Sequence, residues 1–113
     1  GITSTLDVDA LPHIDADAEA LLFRAAQEAL RNAAEHSHAD TVTMTVTADA
    51  NTARLVIVDN GRGFDAAEHE RRRAEGHIGL DILRDLIAHA GGTMTMDSTP
   101  GQGTKLSIVV PVQ

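Results

Sequence analysis

Cysteine, tryptophan and tyrosine are absent from this chain, phenylalanine occurs twice, and lysine occurs once, at Lys105. Without cysteine there are no disulfides and no thiolate metal sites. With two aromatic side chains in 113 residues, there are few platforms on which nucleic-acid bases could stack. The shortage of cations leaves a formal net charge of −8, which argues against DNA, RNA or an anionic membrane surface held by bulk electrostatics. No apolar run approaches the roughly 18 residues of a membrane span, and no basic-then-apolar leader opens the sequence. These absences predict a cytoplasmic segment with no nucleic-acid partner and no direct membrane contact.

What is present is enough for a core. Hydrophobic residues make up 42% of the chain, mostly Ala, Leu, Ile and Val, and the length predicts one domain over residues 1–113. The chain starts in mid-pattern at Gly1-Ile2-Thr3, as expected of a piece of something longer. Weak alternation over 3–8 predicts a strand, and Asp15 or Asp17 is placed to cap the helix that follows. From residue 18 to about 37 the helical period sets Leu21, Leu22, Ala25, Ala26, Ala29, Leu30 and Ala33 on one face, opposite Arg24, Gln27, Arg31 and Glu35. Residues 41–46 and 53–59 read as strands joined by a turn at Asp49-Ala50-Asn51. Residues 65–75 carry seven charges and no apolar stripe, and read as an exposed loop. A second helix over 80–89, with Leu80, Leu83, Leu86 and Ile87 inward, ends at Gly91-Gly92. Two further strands, 93–97 and 104–110, flank a turn. The expected fold is α/β in two layers, a mixed and mainly antiparallel sheet of four or five strands with helices packed on one face.

The first helix carries a contradiction. At about 100° per residue, Asn32 falls between Leu21 and Ala25 on the wheel, with Glu28 at the edge of the apolar arc and His36 just beyond it. Burying an unpaired amide costs on the order of 1–3 kcal/mol, so these groups are either satisfied within the protein or line a cavity. A core Asn bonded to a neighbouring strand is the plain alternative for Asn32 alone. Three polar groups in register favour the cavity. An amide oxygen there suits Mg²⁺, and a carboxylate one turn away suits orienting or deprotonating a nucleophile.

Three glycine segments follow. In DNGRGF (59–64), Asp59 ends an apolar strand, where its carboxylate can accept from an exocyclic amine while Gly61 and Gly63 let the backbone approach a ring. An ordinary Asp-Asn-Gly turn fits the same residues. In GHIGL (76–80), Gly76, His77, Ile78, Gly79 and Leu80 open a helix whose free N–H groups suit phosphate oxygens, although a plain loop would read the same way. No G-x-x-x-x-G-K-[ST] loop is present, so a polyphosphate would depend on backbone dipoles, Mg²⁺ and Arg84. PGQGT (100–104) reads equally well as a hairpin. Of the six histidines only His36 and His38 are close in sequence, without a third partner, so no zinc site is expected. The Arg71-Arg72-Arg73 run is flanked by Glu68, Glu70 and Glu75 and reads as a solvated loop.

Taken in order, EALRNAAEH (28–36), DNGRGF, GHIGL and PGQGT resemble the ATP-binding domain of the GHKL superfamily, the Bergerat fold, over about residues 18–110. They most resemble the catalytic, ATP-binding domain of sensor histidine kinases, and GHIGLDILRDLI looks most like kinases that partner NarL/LuxR-type response regulators. The resemblance implies ATP and Mg²⁺ as cofactors. It implies that Asn32 coordinates Mg²⁺, that Asp59 binds the adenine amino group with Thr104 near it, and that Gly61 and Gly63 shape the base pocket. It further implies that residues 76–80 hold the phosphates under a mobile lid at 65–75, that Glu28 assists the chemistry or the water shell of the metal, and that His36 approaches the phosphates. Glu35 departs from the pattern: many relatives have Lys or Arg there, and a carboxylate removes one phosphate contact.

The phosphoacceptor motif H-[DE] is matched only by His69-Glu70, within the charged loop and away from any apolar stripe. The resemblance therefore implies a single catalytic domain nearly inactive alone, which positions ATP for transfer to a histidine on its own dimerisation and phosphoacceptor domain. A response regulator would act downstream through that domain, with a monomeric fragment and a homodimeric parent. Two rival readings remain: a GHKL protein-serine kinase of the anti-sigma-factor type, and a non-catalytic nucleotide-sensing interaction module.

Overall fold

The computed structural model describes residues 3–8, 15–33, 40–61, 79–99 and 101–112. Five strands, β1 (Thr3–Val8), β2 (Thr41–Ala48), β3 (Thr52–Asp59), β4 (Thr93–Thr99) and β5 (Gly103–Pro111), form one sheet in the order β1-β2-β3-β5-β4. The β1–β2 pair is parallel and the other three are antiparallel. Two helices, α1 (Ala16–Asn32) and α2 (Gly79–His89), contact each other. Helix α1 lies against β3 and β5, and α2 against β4.

Local chemistry explains the ends of both helices. The Asp15 carboxylate accepts from the Ala18 N–H at 2.8 Å, while Asp17 and Glu19 occupy the positive end of the α1 dipole. Helix α2 stops where Gly91 takes φ +85°; the Gly91 N–H donates to Ala88 O at 3.0 Å, and the Gly92 N–H donates to Ile87 O at 2.8 Å. That pair of bonds is a Schellman cap. Between β2 and β3 the turn is held by the Asp49 carboxylate, which accepts from the N–H groups of Asn51 and Thr52 at 2.7 and 2.8 Å.

Directly opposed strand residues share a face, so the register stacks the core in rungs. One rung is Val46, Leu55, Ile108 and Met94; the next is Met44, Ile57, Leu106 and Met96. Leu22 and Ala25 of α1 and Leu83 and Ile87 of α2 are buried in the same cluster, so both helices cover this face. Each fully buried Leu or Ile contributes about 1.5–3 kcal/mol, which makes this two-layer core the main stabiliser.

Strand β1 has the bounds its alternation predicts, and β2 to β5 run one or two residues further, because main-chain pairing continues past the alternating segment. Leu86 is a correction. It is 38% exposed and faces outward with Ile82, one turn before it, because Leu83 and Ile87 already fill the contact with the sheet. The expected extension of α1 to about residue 37 and the charged loop 65–75 lie outside the described residues.

Candidate functional site

The rung beyond Met44, Ile57, Leu106 and Met96 is Val42, Asp59, Thr104 and Ser98, on the same helix-covered face. At that step three of the four positions change from apolar to polar. Asp59 sits at the last residue of β3, where period-2 alternation turns its side chain the same way as Leu55 and Ile57. It is half-buried. One carboxylate oxygen, Oδ1, accepts from the Gly61 N–H at 2.9 Å, and Oδ2 takes no hydrogen bond among the described residues. A half-buried carboxylate with one oxygen fixed and the other open is suited to accept from a donor placed over the sheet end.

Backbone packs tightly around it. Gly103 has φ +87°, and a Cβ there would overlap the Asp59 carbonyl oxygen and stand 3.3 Å from Asn60 Cα. Only glycine satisfies both the left-handed dihedral and the close approach. Gly61 is buried directly after the strand. The amide oxygen of Asn60 accepts from the N–H groups of Asp40 and Thr41 at 2.8 and 2.9 Å, tying the end of β3 to the start of β2. Thr104 Oγ1 lies 2.8 Å from Ser98 Oγ.

A second group of polar residues comes from α1. Glu28 is half-buried, its side chain 17% exposed, and both carboxylate oxygens accept from Arg31 Nη2, at 2.9 and 3.1 Å. The Glu28 carboxylate also lies against the first residue of α2: a Cβ on Gly79 would overlap it. The two helices thus bring Glu28 to the positive end of α2, beside half-buried Leu80. Asn32 is half-buried, and its side-chain amide makes no hydrogen bond among the described residues. Its amide oxygen is of the chemistry that Mg²⁺ takes.

Of the predicted site residues, the structure thus describes Glu28, Asn32, Asp59, Gly61, Gly79, Leu80 and Thr104. It brings Asp59 together with Gly61 and Thr104, and Glu28 together with Gly79. His36, Gly63, Gly76, His77 and Ile78 lie outside the described residues. Two participants escaped the sequence reading, Ser98 and Arg31. Ser98 was accessible in principle, since a tight turn at 99–103 fixes 98 opposite 104. Arg31 stands on the polar side of the wheel, and only the position of the Glu28 side chain draws it in.

Residues 17–113 match the family model described as histidine kinase-, DNA gyrase B-, and HSP90-like ATPase. The chain is 41% identical over 96 residues to the signal transduction histidine-protein kinase/phosphatase DegS of Bacillus subtilis (strain 168), covering 83% of this chain and 24% of DegS. It is 35% identical over 96 residues to the nitrate/nitrite sensor protein NarQ of Escherichia coli (strain K12), covering 84% of this chain and 16% of NarQ. Among solved structures, full-length ShkA in complex with AMPPNP superposes with a TM-score of 0.80 at 27% identity, over 98% of this chain and 26% of ShkA. The chain spans at most about a quarter of each of these proteins.

Proposed function

The chain belongs to the histidine kinase-, DNA gyrase B- and HSP90-like ATPase family, and we propose that it binds ATP with Mg²⁺ and presents the γ-phosphate to a histidine on a separate dimerisation and phosphoacceptor domain. The observation that carries this reading is the polar rung. Asp59 closes an apolar ladder with one carboxylate oxygen open and Thr104 opposite it, which is the chemistry needed to read an adenine amino group. The sequence likeness to DegS and NarQ favours the histidine-kinase branch over a serine kinase, and the ShkA complex with AMPPNP supports a nucleotide as ligand.

In this reading Asp59 orients the base, with Thr104 beside it, and the close backbone at Gly61 and Gly103 shapes the floor of the pocket. Asn32 would hold Mg²⁺ through its amide oxygen, and the ion supplies charge neutralisation between phosphate groups. Glu28, next to Gly79, orders water or the metal shell at the phosphate end. By the family likeness His36, Gly63, Gly76, His77 and Ile78 would contact the nucleotide, and the segment 65–75 would be its lid. The contribution of this chain to phosphoryl transfer is positioning and electrostatics, while the nucleophilic imidazole comes from the partner domain. A response regulator acts downstream, the parent protein is a homodimer, and the domain works in the cytoplasm, where ATP is available. Among the described residues no helix is long and apolar enough to cross a membrane.

Calorimetric titration with ATP and ADP, with and without Mg²⁺, tests the pocket beside an Asp59→Asn variant. A hydrogen bond to a charged group contributes about 1.5–3 kcal/mol, so Asp59→Asn should weaken adenine-nucleotide binding by roughly tenfold to a hundredfold. Binding by the wild-type chain that Asp59→Asn leaves intact would overturn the assignment of Asp59. No binding under any condition would overturn the nucleotide reading itself.

A further inference from the structure

Glu28 and Arg31 form an ion pair one turn apart on α1, with the anion on the N-terminal side, the favourable order on a helix. Arg31 also stands in the last turn of α1, at the negative end of its dipole. One nitrogen, Nη2, donates to both carboxylate oxygens, at 2.9 and 3.1 Å. The partners differ in exposure. The Arg31 side chain is 59% exposed, whereas the Glu28 carboxylate is half-buried against Gly79 at the start of α2. The guanidinium therefore caps the carboxylate from the solvent side.

That placement poses an electrostatic problem. In the nucleotide reading the polyphosphate lies at the start of α2, beside Glu28, and a bare carboxylate there repels it. The chain has little positive charge to spare. Its one lysine, Lys105, stands opposite Asp97, and strand alternation turns it to the face away from the helices. Among the described residues Arg31 is the cation paired with Glu28. Removing its guanidinium leaves the Glu28 charge uncompensated. Metal-free ATP is then repelled, whereas Mg²⁺–ATP brings a cation of its own to the carboxylate. Both effects raise the ratio of ATP affinities with and without Mg²⁺.

We propose that Arg31 is a positioning residue for the phosphate end of the site: by holding and neutralising Glu28 it lets a polyphosphate approach the start of α2 before any metal offsets that charge, and so sets how strongly nucleotide binding depends on Mg²⁺. The proposal rests on the nucleotide reading above. It differs from a structural role for the ion pair in what it moves. A loss of folded protein scales both affinities alike and leaves their ratio unchanged.

The test is calorimetric titration of the whole chain with ATP, in Mg²⁺ and in EDTA. Arg31→Ala should raise the ratio of the two affinities about fivefold, the upper worth of an exposed ion pair. The rise should shrink in high salt, which screens exposed charges. Arg31→Lys, which keeps the charge, should stay near the wild-type ratio. In a Glu28→Gln background Arg31→Ala should leave the ratio unchanged, because no carboxylate remains to be neutralised. An unchanged or lowered ratio in Arg31→Ala overturns the proposal, as does a wild-type chain that binds ATP only with Mg²⁺. An equal rise in the Glu28→Gln background overturns it too, and makes Arg31 a direct phosphate contact. The two levels fail separately. A wild-type chain that binds no nucleotide in either buffer ends the nucleotide reading and the proposal with it; one that binds ATP while Arg31→Ala keeps the ratio shows that the role of Arg31 alone is wrong.

Discussion

Two glycines in the last hairpin have nearly the same dihedral and opposite surroundings, which makes them a matched pair. Gly101 has φ +83° with nothing within 4 Å of a notional Cβ, and Gly103 has φ +87° with the Asp59 carbonyl oxygen inside van der Waals contact. Placing an L side chain in the left-handed region costs about 1–2 kcal/mol, so Gly101→Ala should lose that and no more. Gly103→Ala bears the same cost plus the overpacking term of about 1–3 kcal/mol, for a total of about 2–5 kcal/mol. At roughly 4 °C per kcal/mol for a domain of this size, Gly101→Ala should lower Tm by about 4–8 °C and Gly103→Ala by about 8–20 °C. Urea and thermal denaturation followed by circular dichroism measure both. Equal shifts in the two variants would refute the close approach of Gly103 to Asp59, and with it the backbone frame assigned to the polar rung.

Removing the α1 cap with Asp15→Ala should cost about 1 kcal/mol in the same denaturation assay, since the Ala18 N–H then loses its partner; a change within a few tenths would contradict the cap. Asp49 gives a pH dependence. The N–H groups of Asn51 and then Thr52 hold its carboxyl below the ordinary 3.8. Its folded pKa thus lies under its unfolded one, so its stabilisation is present above the ordinary carboxylate range and lost as pH falls through the folded pKa. The stability difference between wild type and Asp49→Asn should therefore shrink on acidification below that range, and a difference independent of pH would contradict the assignment.

How much of this was legible in the sequence depends on the range of the interaction. Alternation and the 3.6-residue period are local, so the five described strands, the start of α1 and both ends of α2 were placed within a few residues. Gly91 and Asp49 were legible, and Asp15 was one of two cap candidates beside Asp17, because caps and turns are made by neighbours within five positions. Strand order is another matter. Nothing local tells β5 to insert between β3 and β4, or β1 to pair parallel with β2, because those choices are made by the burial of whole faces. Leu86 was misread for the same reason: on the wheel it borders the apolar arc, and only the packing of Leu83 and Ile87 shows how narrow the covered stripe is. In the site, Asn32 and Asp59 were visible as polar groups in apolar surroundings, a conflict that exists within one element. The meeting of Glu28 with Gly79 and of Ser98 with Thr104 joins separate elements.

The arrangement of the ladder separates stability from recognition along one axis. Val46, Leu55, Ile108 and Met94 lie mid-ladder, and losses there should lower folding free energy without changing what the sheet end accepts. At the other end Asp59 and Thr104 contribute little apolar burial, so conservative replacements that keep the Gly61 hydrogen bond, such as Asp59→Asn, should cost less stability than a core truncation while altering the ligand. Gly103 is where the two properties meet, since its backbone both closes the hairpin and frames Asp59. A ligand at a hundred times its Kd adds about 2.7 kcal/mol to the stability of a native state that binds it. That increment should be retained in a core variant such as Leu55→Ala, and cut to about 0.4–1.4 kcal/mol in Asp59→Asn at the same ligand concentration, even though Leu55→Ala is the less stable protein. The order of stability and the order of ligand protection are therefore expected to be opposite for these two positions on the same strand.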